Sequence, residues 1–152
     1  RAAGIGQATP ARAVLQDLTR TLNKLYGRDG VTVTLQPGED AAFRGERQDL
    51  EEIAGNLMDN ACKYGGGDVQ VRLGALPEGK LEIVVEDDGN GLTPEARIAA
   101  LRRGQRLDES APGSGLGLAI VDDLAQAYGG ALTLDDSPLG GLKAVVRLPA
   151  VA

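Results

Sequence analysis

Histidine and tryptophan are absent from this chain, and cysteine occurs once, as Cys62. Without histidine the chain cannot phosphorylate itself on that residue, nor use an imidazole as a base or metal ligand. A single cysteine allows no internal disulfide and is typical of a reducing compartment. Aromatic residues make up only 3% of the chain, so the core must be built from aliphatic side chains. No apolar run approaches the length that a membrane-spanning helix needs.

The length and charge of the chain limit its class. A chain of 152 residues predicts one domain, residues 1–152, with its core at about 9–149. The net charge of −6 argues against nucleic acid or an anionic membrane surface as a partner.

Periodicity predicts strands in hairpins and three main helices, which together favour a two-layer α/β sandwich. Strands are expected at 31–35, near Phe43, and at 69–73, 81–86, 131–134 and 142–148. Thr9-Pro10 is expected to cap and start the first helix, which Gly27 ends. Its predicted apolar stripe consists of Val14, Leu15, Leu18, Leu22 and Leu25.

The second predicted helix, from about Arg47, has two distinct sides. At 100° per residue, Asn56, Asn60 and Lys63 fall within a roughly 60° arc. The predicted core side consists of Leu50, Ala54, Leu57, Met58 and Ala61. Two amide oxygens and an ammonium suit a hydrated divalent cation and the phosphates it bridges. A merely solvated helix face is the alternative, and this helix alone does not decide between them.

Two glycine-bearing segments follow. The predicted strand 81–86 leads into Asp87-Asp88-Gly89-Asn90-Gly91, where a carboxylate can accept hydrogen bonds from an amine and glycines allow close backbone approach. A plain turn is the alternative there. Further on, Gly113-Ser114-Gly115-Leu116-Gly117 opens the third helix, and exposed N–H groups at a helix start bind phosphate. Its spacing fits neither a P-loop nor a dinucleotide fingerprint. The predicted apolar face of this helix consists of Leu116, Ile120, Leu124, Ala127 and Tyr128.

The three segments in this order resemble the N, G1 and G2 boxes of the ATP-binding catalytic domain of sensor histidine kinases, in the GHKL superfamily. Arg103-Gly104-Gln105-Arg106 followed by Pro112-Gly113 is most similar to the PhoQ-type subgroup. The resemblance implies the Bergerat fold, a mixed and mostly antiparallel sheet with about three helices on one face. It also implies an ATP lid at about residues 92–113.

The resemblance implies a role for each matching residue. Asp87 would accept a hydrogen bond from the adenine amino group, with Gly89 and Gly91 giving backbone freedom and Tyr64 lying against the ring. Asn60, assisted by Asn56, would bind Mg²⁺, and Lys63 would meet phosphate oxygens. Arg103 and Arg106 would approach the γ-phosphate from the lid. The phosphate chain would lie on the segment containing Gly113, Gly115, Leu116 and Gly117. Asn60, Lys63 and Arg106 are the candidate catalytic residues.

Two residues depart from the subgroup. A basic residue is expected where this chain has Ala111, and a metal-assisting glutamine where it has Ser114. For Arg97 and Arg102, which lie between the glycine segments, a solvated helix face is expected.

The implied function is binding of Mg·ATP and transfer of the γ-phosphoryl group to a histidine on a separate dimerisation domain of the same receptor. That receptor would be a homodimer anchored in the bacterial inner membrane, with this domain in the cytoplasm and a response regulator downstream. The alternatives are a clamp-type ATPase, an anti-sigma-type serine kinase and a non-catalytic nucleotide-binding module. The ATPases of the superfamily carry a glutamate base where this chain has Asn56, and an amide cannot take a proton from water at neutral pH.

Overall fold

The computed structural model describes residues 7–102 and 116–151. The helices in these residues are α1 (Ala11–Tyr26), α2 (Arg47–Tyr64), α3 (Pro94–Leu101) and α4 (Leu116–Ala127), with a short 3-10 helix, Gly27–Asp29, after α1. The strands are β1 (Thr9–Pro10), β2 (Thr32–Leu35), β3 (Ala42–Phe43), β4 (Asp68–Leu76), β5 (Lys80–Asp87), β6 (Ala131–Asp136) and β7 (Leu142–Pro149). Among the helices of these two ranges, none is long and apolar enough to cross a membrane.

Five strands form one sheet in the order β2-β4-β5-β7-β6. β2 runs parallel to β4, and the other neighbouring pairs are antiparallel. This confirms the predicted mixed, mostly antiparallel sheet. β1 and β3 form a separate antiparallel pair. Because β5 is the central strand, its last residue, Asp87, lies opposite Val69 of β4 and close to the start of β7.

The helices α1, α2 and α4 pack on one face of the sheet, which confirms the two-layer sandwich. Side chains alternate along β5, so that Ile83 is fully buried among the helices. Glu82 and Glu86 of the same strand lie on the other face, where Arg147 pairs with Glu82 at 3.4 Å and Arg72 pairs with Glu86 at 3.3 Å. The core is therefore on the helix side, and charged side chains cover the opposite face.

The predicted core side of α2 is confirmed. Its five predicted residues are all buried: Leu50, Ala54, Leu57, Met58 and Ala61. Cys62 is buried beside them, and burial raises the pKa of its thiol to about 11. The thiol is therefore protonated at neutral pH, which suits a packing role.

The apolar stripe predicted for α1 is correct except at its end. Val14, Leu15 and Leu22 are buried, but Leu25 is 62% exposed. The last turn of α1 is held by polar side chains instead. The Asn23 side chain donates to the Val33 carbonyl at 2.9 Å and accepts from the Val33 N–H at 2.8 Å. These two bonds satisfy the Val33 backbone on the outer edge of β2, and Leu25 faces outward.

The predicted cap of α1 is wrong. Pro10 is the N-cap and supplies no side-chain hydrogen bond to the helix. The Thr9 hydroxyl instead donates to the Gly45 carbonyl at 2.8 Å. Thr9 and Pro10 are extended and pair with β3, so the hydroxyl serves a tertiary contact and cannot reach the first turn.

The apolar face predicted for α4 is also wrong in part. Among the described side chains of this helix, the buried residues are Leu118, Ala119, Val121 and Ala125. Ile120, Leu124 and Tyr128 are partly buried, whereas Ala127 is exposed. The helix has apolar residues on more than one side, so periodicity alone could not select the face that contacts α2 and β6.

The segment after Gly91 begins with an ordered helix, α3, in addition to the three predicted. Thr93 caps it by accepting a hydrogen bond from Ala96 N at 3.1 Å, and Pro94 occupies its first turn. The solvated position expected for Arg97 is wrong, because this side chain is only 20% exposed and pairs with Asp136. The pair attaches α3 to the end of β6.

Candidate nucleotide-binding site

The polar face of α2 lies next to the start of α4. Asn56 and Asn60 are half-buried there. The Asn56 amide nitrogen donates to the Glu52 carbonyl at 2.7 Å, and no described residue donates to its oxygen. A Cβ built on Gly117 would lie 3.4 Å from that oxygen. The polar face of α2 and the end of the second glycine-bearing segment, at Gly117, therefore lie side by side.

Lys63 is exposed and is held at the edge of this face by an ion pair. Its ammonium lies 3.1 Å from Asp59 Oδ2. The Tyr26 hydroxyl donates to the other oxygen, Asp59 Oδ1, at 2.6 Å. Burial, followed by this bond to Asp59, raises the pKa of Tyr26, so the phenol stays protonated and remains the donor. Lys63 must exchange Asp59 for phosphate if it binds a nucleotide.

Asp87 is a buried carboxylate at the end of the central strand. It is 4% exposed, and its Oδ1 accepts from Gly89 N at 3.0 Å and from Leu142 N at 3.3 Å. Among the described residues, none donates to Oδ2. Burial raises the pKa of Asp87, the two backbone N–H groups oppose that shift, and Asp88 adds to it. One oxygen is therefore fixed by the backbone, and the other can accept from a ligand.

Glycines enclose Asp87 on several sides. A Cβ on Gly65 would lie 2.9 Å from Asp87 Cβ, and one on Gly141 would lie 2.1 Å from Asp87 Oδ1. A Cβ on Gly89 would lie 2.6 Å from the Tyr64 carbonyl oxygen. All three distances are shorter than the separations that Cβ atoms keep from other atoms in proteins. Any side chain at these positions would therefore displace the carboxylate or the loop around it. Gly91 has a φ of +71°, a conformation that favours glycine.

The sequence-based reasoning missed Gly65 and Gly141 as parts of this site. Both glycines lie against the Asp87 side chain, although neither belongs to the three segments from which the site was predicted. Asp88 was likewise given no role of its own, although its Oδ1 accepts from Gly66 N at 2.9 Å and from Asp68 N at 3.0 Å. The run Gly65-Gly66-Gly67 directly after an asparagine-bearing helix was the available signal for a close backbone approach.

The ends of α2 and β5 are thus brought together. Tyr64 is 47% exposed, and its backbone adjoins Gly89. Arg103, Arg106, Gly113 and Gly115 lie outside the described residues, as do Ala111 and Ser114. Leu116 is described only as the backbone start of α4. The predicted roles of these residues remain predictions.

The donor set on α2 fits a Mg²⁺ ion that arrives with a nucleotide. In residues 7–102 and 116–151, no three His, Cys, Asp or Glu side chains are grouped to hold a metal. The amide oxygens of Asn56 and Asn60 are hard, neutral ligands, and Mg²⁺ is usually held by few protein groups together with phosphates and water. Asn60 makes no hydrogen bond to another described residue that would occupy its oxygen.

The fold, the buried carboxylate and the glycines around it define a class of ATP-binding domain. The chain belongs to the family of histidine kinase-, DNA gyrase B- and HSP90-like ATPases, whose model matches residues 45–152. It is 43% identical to the sensor protein kinase CarS of Pseudomonas aeruginosa, covering 95% of this chain and 33% of CarS. It is 40% identical to the sensor protein PhoQ of Escherichia coli, covering 88% of this chain and 27% of PhoQ.

A solved structure agrees with these relatives. The crystal structure of the ATP-binding domain of PrrB from Mycobacterium tuberculosis has a TM-score of 0.80 and is 28% identical, covering 96% of this chain and 98% of that one. The predicted resemblance to the ATP-binding domains of sensor histidine kinases is thus confirmed. The chain spans about a third or less of the length of CarS and PhoQ, at 33% and 27%.

Proposed function

We propose that this domain binds Mg·ATP and transfers the γ-phosphoryl group to a histidine on a separate dimerisation domain of the same receptor. The observation that carries the proposal is Asp87, a buried carboxylate with one oxygen fixed by two backbone N–H groups and the other open to a ligand. The receptor is then a homodimeric, membrane-anchored sensor kinase, with this domain in the cytoplasm and a response regulator as the next phosphate acceptor.

The chemistry of Asp87 indicates where the nucleotide base binds. A carboxylate accepts hydrogen bonds, and the adenine amino group donates them, whereas guanine presents a carbonyl at the same position. Gly65, Gly89 and Gly141 pack directly against Asp87 and the Tyr64 carbonyl, where any side chain would collide, so they hold the carboxylate in place at the base-binding end. Tyr64, whose backbone carbonyl adjoins Gly89 at the end of α2, lies along the adenine ring in this proposal.

The phosphate-binding end lies further back along α2. Asn60 and Asn56 would hold Mg²⁺ through their amide oxygens, and the ion would supply charge neutralisation at the phosphates. Lys63 supplies a point charge. The start of α4 at Gly117 presents the positive end of a helix dipole beside Asn56. Gly113, Gly115 and Leu116 complete this phosphate site in the proposal, and Arg103 and Arg106 contact the γ-phosphate.

The composition of the site favours transfer over hydrolysis. Asn56 stands where a water-activating glutamate would be needed, and it already donates to the Glu52 carbonyl. An amide does not accept a proton from water at neutral pH. The domain then contributes positioning and charge neutralisation, which are the main sources of catalysis in phosphoryl transfer. Because the chain has no histidine, the acceptor lies on another domain.

The experiment is a transfer assay with γ-labelled ATP. The chain alone should gain no acid-labile phosphate, whereas mixing it with the dimerisation domain of its own receptor should label that domain. Asp87→Asn should reduce the labelling strongly, and Asp135→Asn, the same change on an exposed residue of β6, should not. Rapid ATP hydrolysis by the chain with no labelled histidine domain would favour the clamp-type ATPase and contradict this proposal.

A further inference from the structure

The turn between β6 and β7, residues 137–141, contains a buried serine. Ser137 is 7% exposed, and its hydroxyl donates to Glu86 Oε1 at 2.9 Å. The same hydroxyl accepts from Leu139 N at 3.0 Å. Ser137 therefore fixes the turn both to the neighbouring strand β5 and to itself.

The turn is closed by backbone hydrogen bonds that determine where Gly141 lies. Ser137 N donates to the Gly141 carbonyl at 2.8 Å, and Gly140 N donates to the Ser137 carbonyl at 2.9 Å. Gly141 N then donates to the Asp87 carbonyl at 3.1 Å, and Leu142 N donates to Asp87 Oδ1 at 3.3 Å. One of the two donors that orient the Asp87 carboxylate is thus carried by the residue directly after this turn.

The bond from Ser137 to Glu86 lies away from the nucleotide site. Glu86 and Asp87 are consecutive on β5, so their side chains point to opposite faces of the sheet. Glu86 is 8% exposed, and its second oxygen lies 3.3 Å from Arg72. Arg72 and Ser137 hold the Glu86 carboxylate from two sides. The position of the turn is therefore set behind the sheet and transmitted to Asp87 through Gly141 and Leu142.

We infer that Ser137 is a positioning residue for the Asp87 carboxylate and thereby contributes to adenine selectivity. The inference rests on the proposed function, in which Asp87 accepts from the adenine amine. Without the Ser137 hydroxyl, the turn loses its side-chain attachment to β5, and backbone pairing alone then holds Leu142 N beside Asp87 Oδ1. The Asp87 carboxylate then rotates more freely, and the discrimination between an amine and a carbonyl on the base decreases.

The test is calorimetric titration of the chain with ADP and with GDP. Ser137→Ala should weaken ADP binding roughly two- to tenfold, the range expected for one hydrogen bond. GDP binding should change less, so the ratio of the two dissociation constants should fall. Ser137→Thr, which keeps the hydroxyl, should restore the ratio. Thr9→Val is the matched control, because it removes a buried hydroxyl hydrogen bond to Gly45 in the β1–β3 pair.

A double-mutant cycle separates positioning from general destabilisation. In an Asp87→Asn background, Ser137→Ala should have little further effect on ADP binding. Equal losses in both backgrounds, or an unchanged ADP-to-GDP ratio in Ser137→Ala, would overturn the inference. If Ser137→Ala fails to fold, Ser137→Cys, with its weaker donor, should show the same fall in the ratio. Failure of the unmodified chain to bind ADP would instead overturn the proposed function as well.

Discussion

Replacing Asp87 by Asn should change ligand binding and stability in opposite directions. The asparagine oxygen can keep the place of Oδ1 and accept from Gly89 N and Leu142 N, as the carboxylate does at 3.0 and 3.3 Å. Its NH₂ group then replaces Oδ2 and meets the adenine amine donor to donor. Loss of a hydrogen bond to a charged group costs about 1.5–3 kcal/mol. We therefore expect ADP to bind roughly ten- to 150-fold more weakly.

The stability effect follows from the pKa of Asp87, which burial raises above its ordinary value. Between the unfolded and folded pKa values the folded chain binds more protons, so the contribution of this group to stability falls as pH rises through that window. Asp87→Asn removes the cost of burying the charge. The variant without ligand should therefore unfold at a higher temperature at neutral pH, and the gain should shrink toward acidic pH.

Two measurements on the same samples check this reasoning. Calorimetric titration with ADP gives the affinity, and thermal unfolding at neutral and acidic pH gives the stability. Asp135→Asn, an exposed residue of β6, controls for the change in net charge. Equal ADP affinity in the unmodified chain and in Asp87→Asn would refute the assignment of Asp87 to the base. A variant that is less stable at neutral pH would refute the argument from the buried charge.

Two further predictions concern α2 and α1. Asn60→Ala should reduce the affinity for ATP in the presence of Mg²⁺ and abolish transfer to the histidine domain. The affinity for ATP measured with a metal chelator should change little. Unchanged transfer would show that the polar face of α2 has been misassigned. Leu22→Ala should lower the free energy of unfolding by about 2–5 kcal/mol because this side chain is 6% exposed. Leu25→Ala, three residues on and 62% exposed, should change it by less than about 0.5 kcal/mol in chemical denaturation; similar losses for both would contradict the structure of the last turn.

The elements that could be predicted from the sequence are those in which the hydrophobic period and the turn residues at each end indicate the same helix or strand. The helix bearing Asn56 and Asn60 has one clear apolar side, and the buried strand before Asp87 is bounded by turn residues at both ends. The secondary structure of such a segment can be predicted locally, because a helix or strand that buries one face has apolar residues at a fixed period. The hairpin connections, at Pro77-Glu78-Gly79 and around Gly140-Gly141, contain the glycine and proline residues that are typical of turns.

The remaining features depend on contacts between distant segments. α4 is apolar on more than one side, so only the neighbouring α2 and β6 decide that Val121 is buried and Ala127 is exposed. Nothing near Thr9 reveals that its hydroxyl donates to Gly45. The enclosure of Asp87 by Gly65 and Gly141 joins residues separated by long stretches of chain. Local patterns identified the carboxylate, but tertiary packing supplies the groups that orient it.

In the proposed site, Lys63 would exchange its ion pair with Asp59 for a contact with phosphate. Their side chains are 40% and 33% exposed, and pairs of this kind contribute only about 0–1 kcal/mol. Lys63 can therefore leave Asp59 at little cost, and Tyr26 still donates to the carboxylate that remains. Added salt weakens the pair that is lost as well as the contact that is gained. We therefore expect nucleotide affinity to fall less with rising ionic strength than it would if Lys63 had no ion pair to lose.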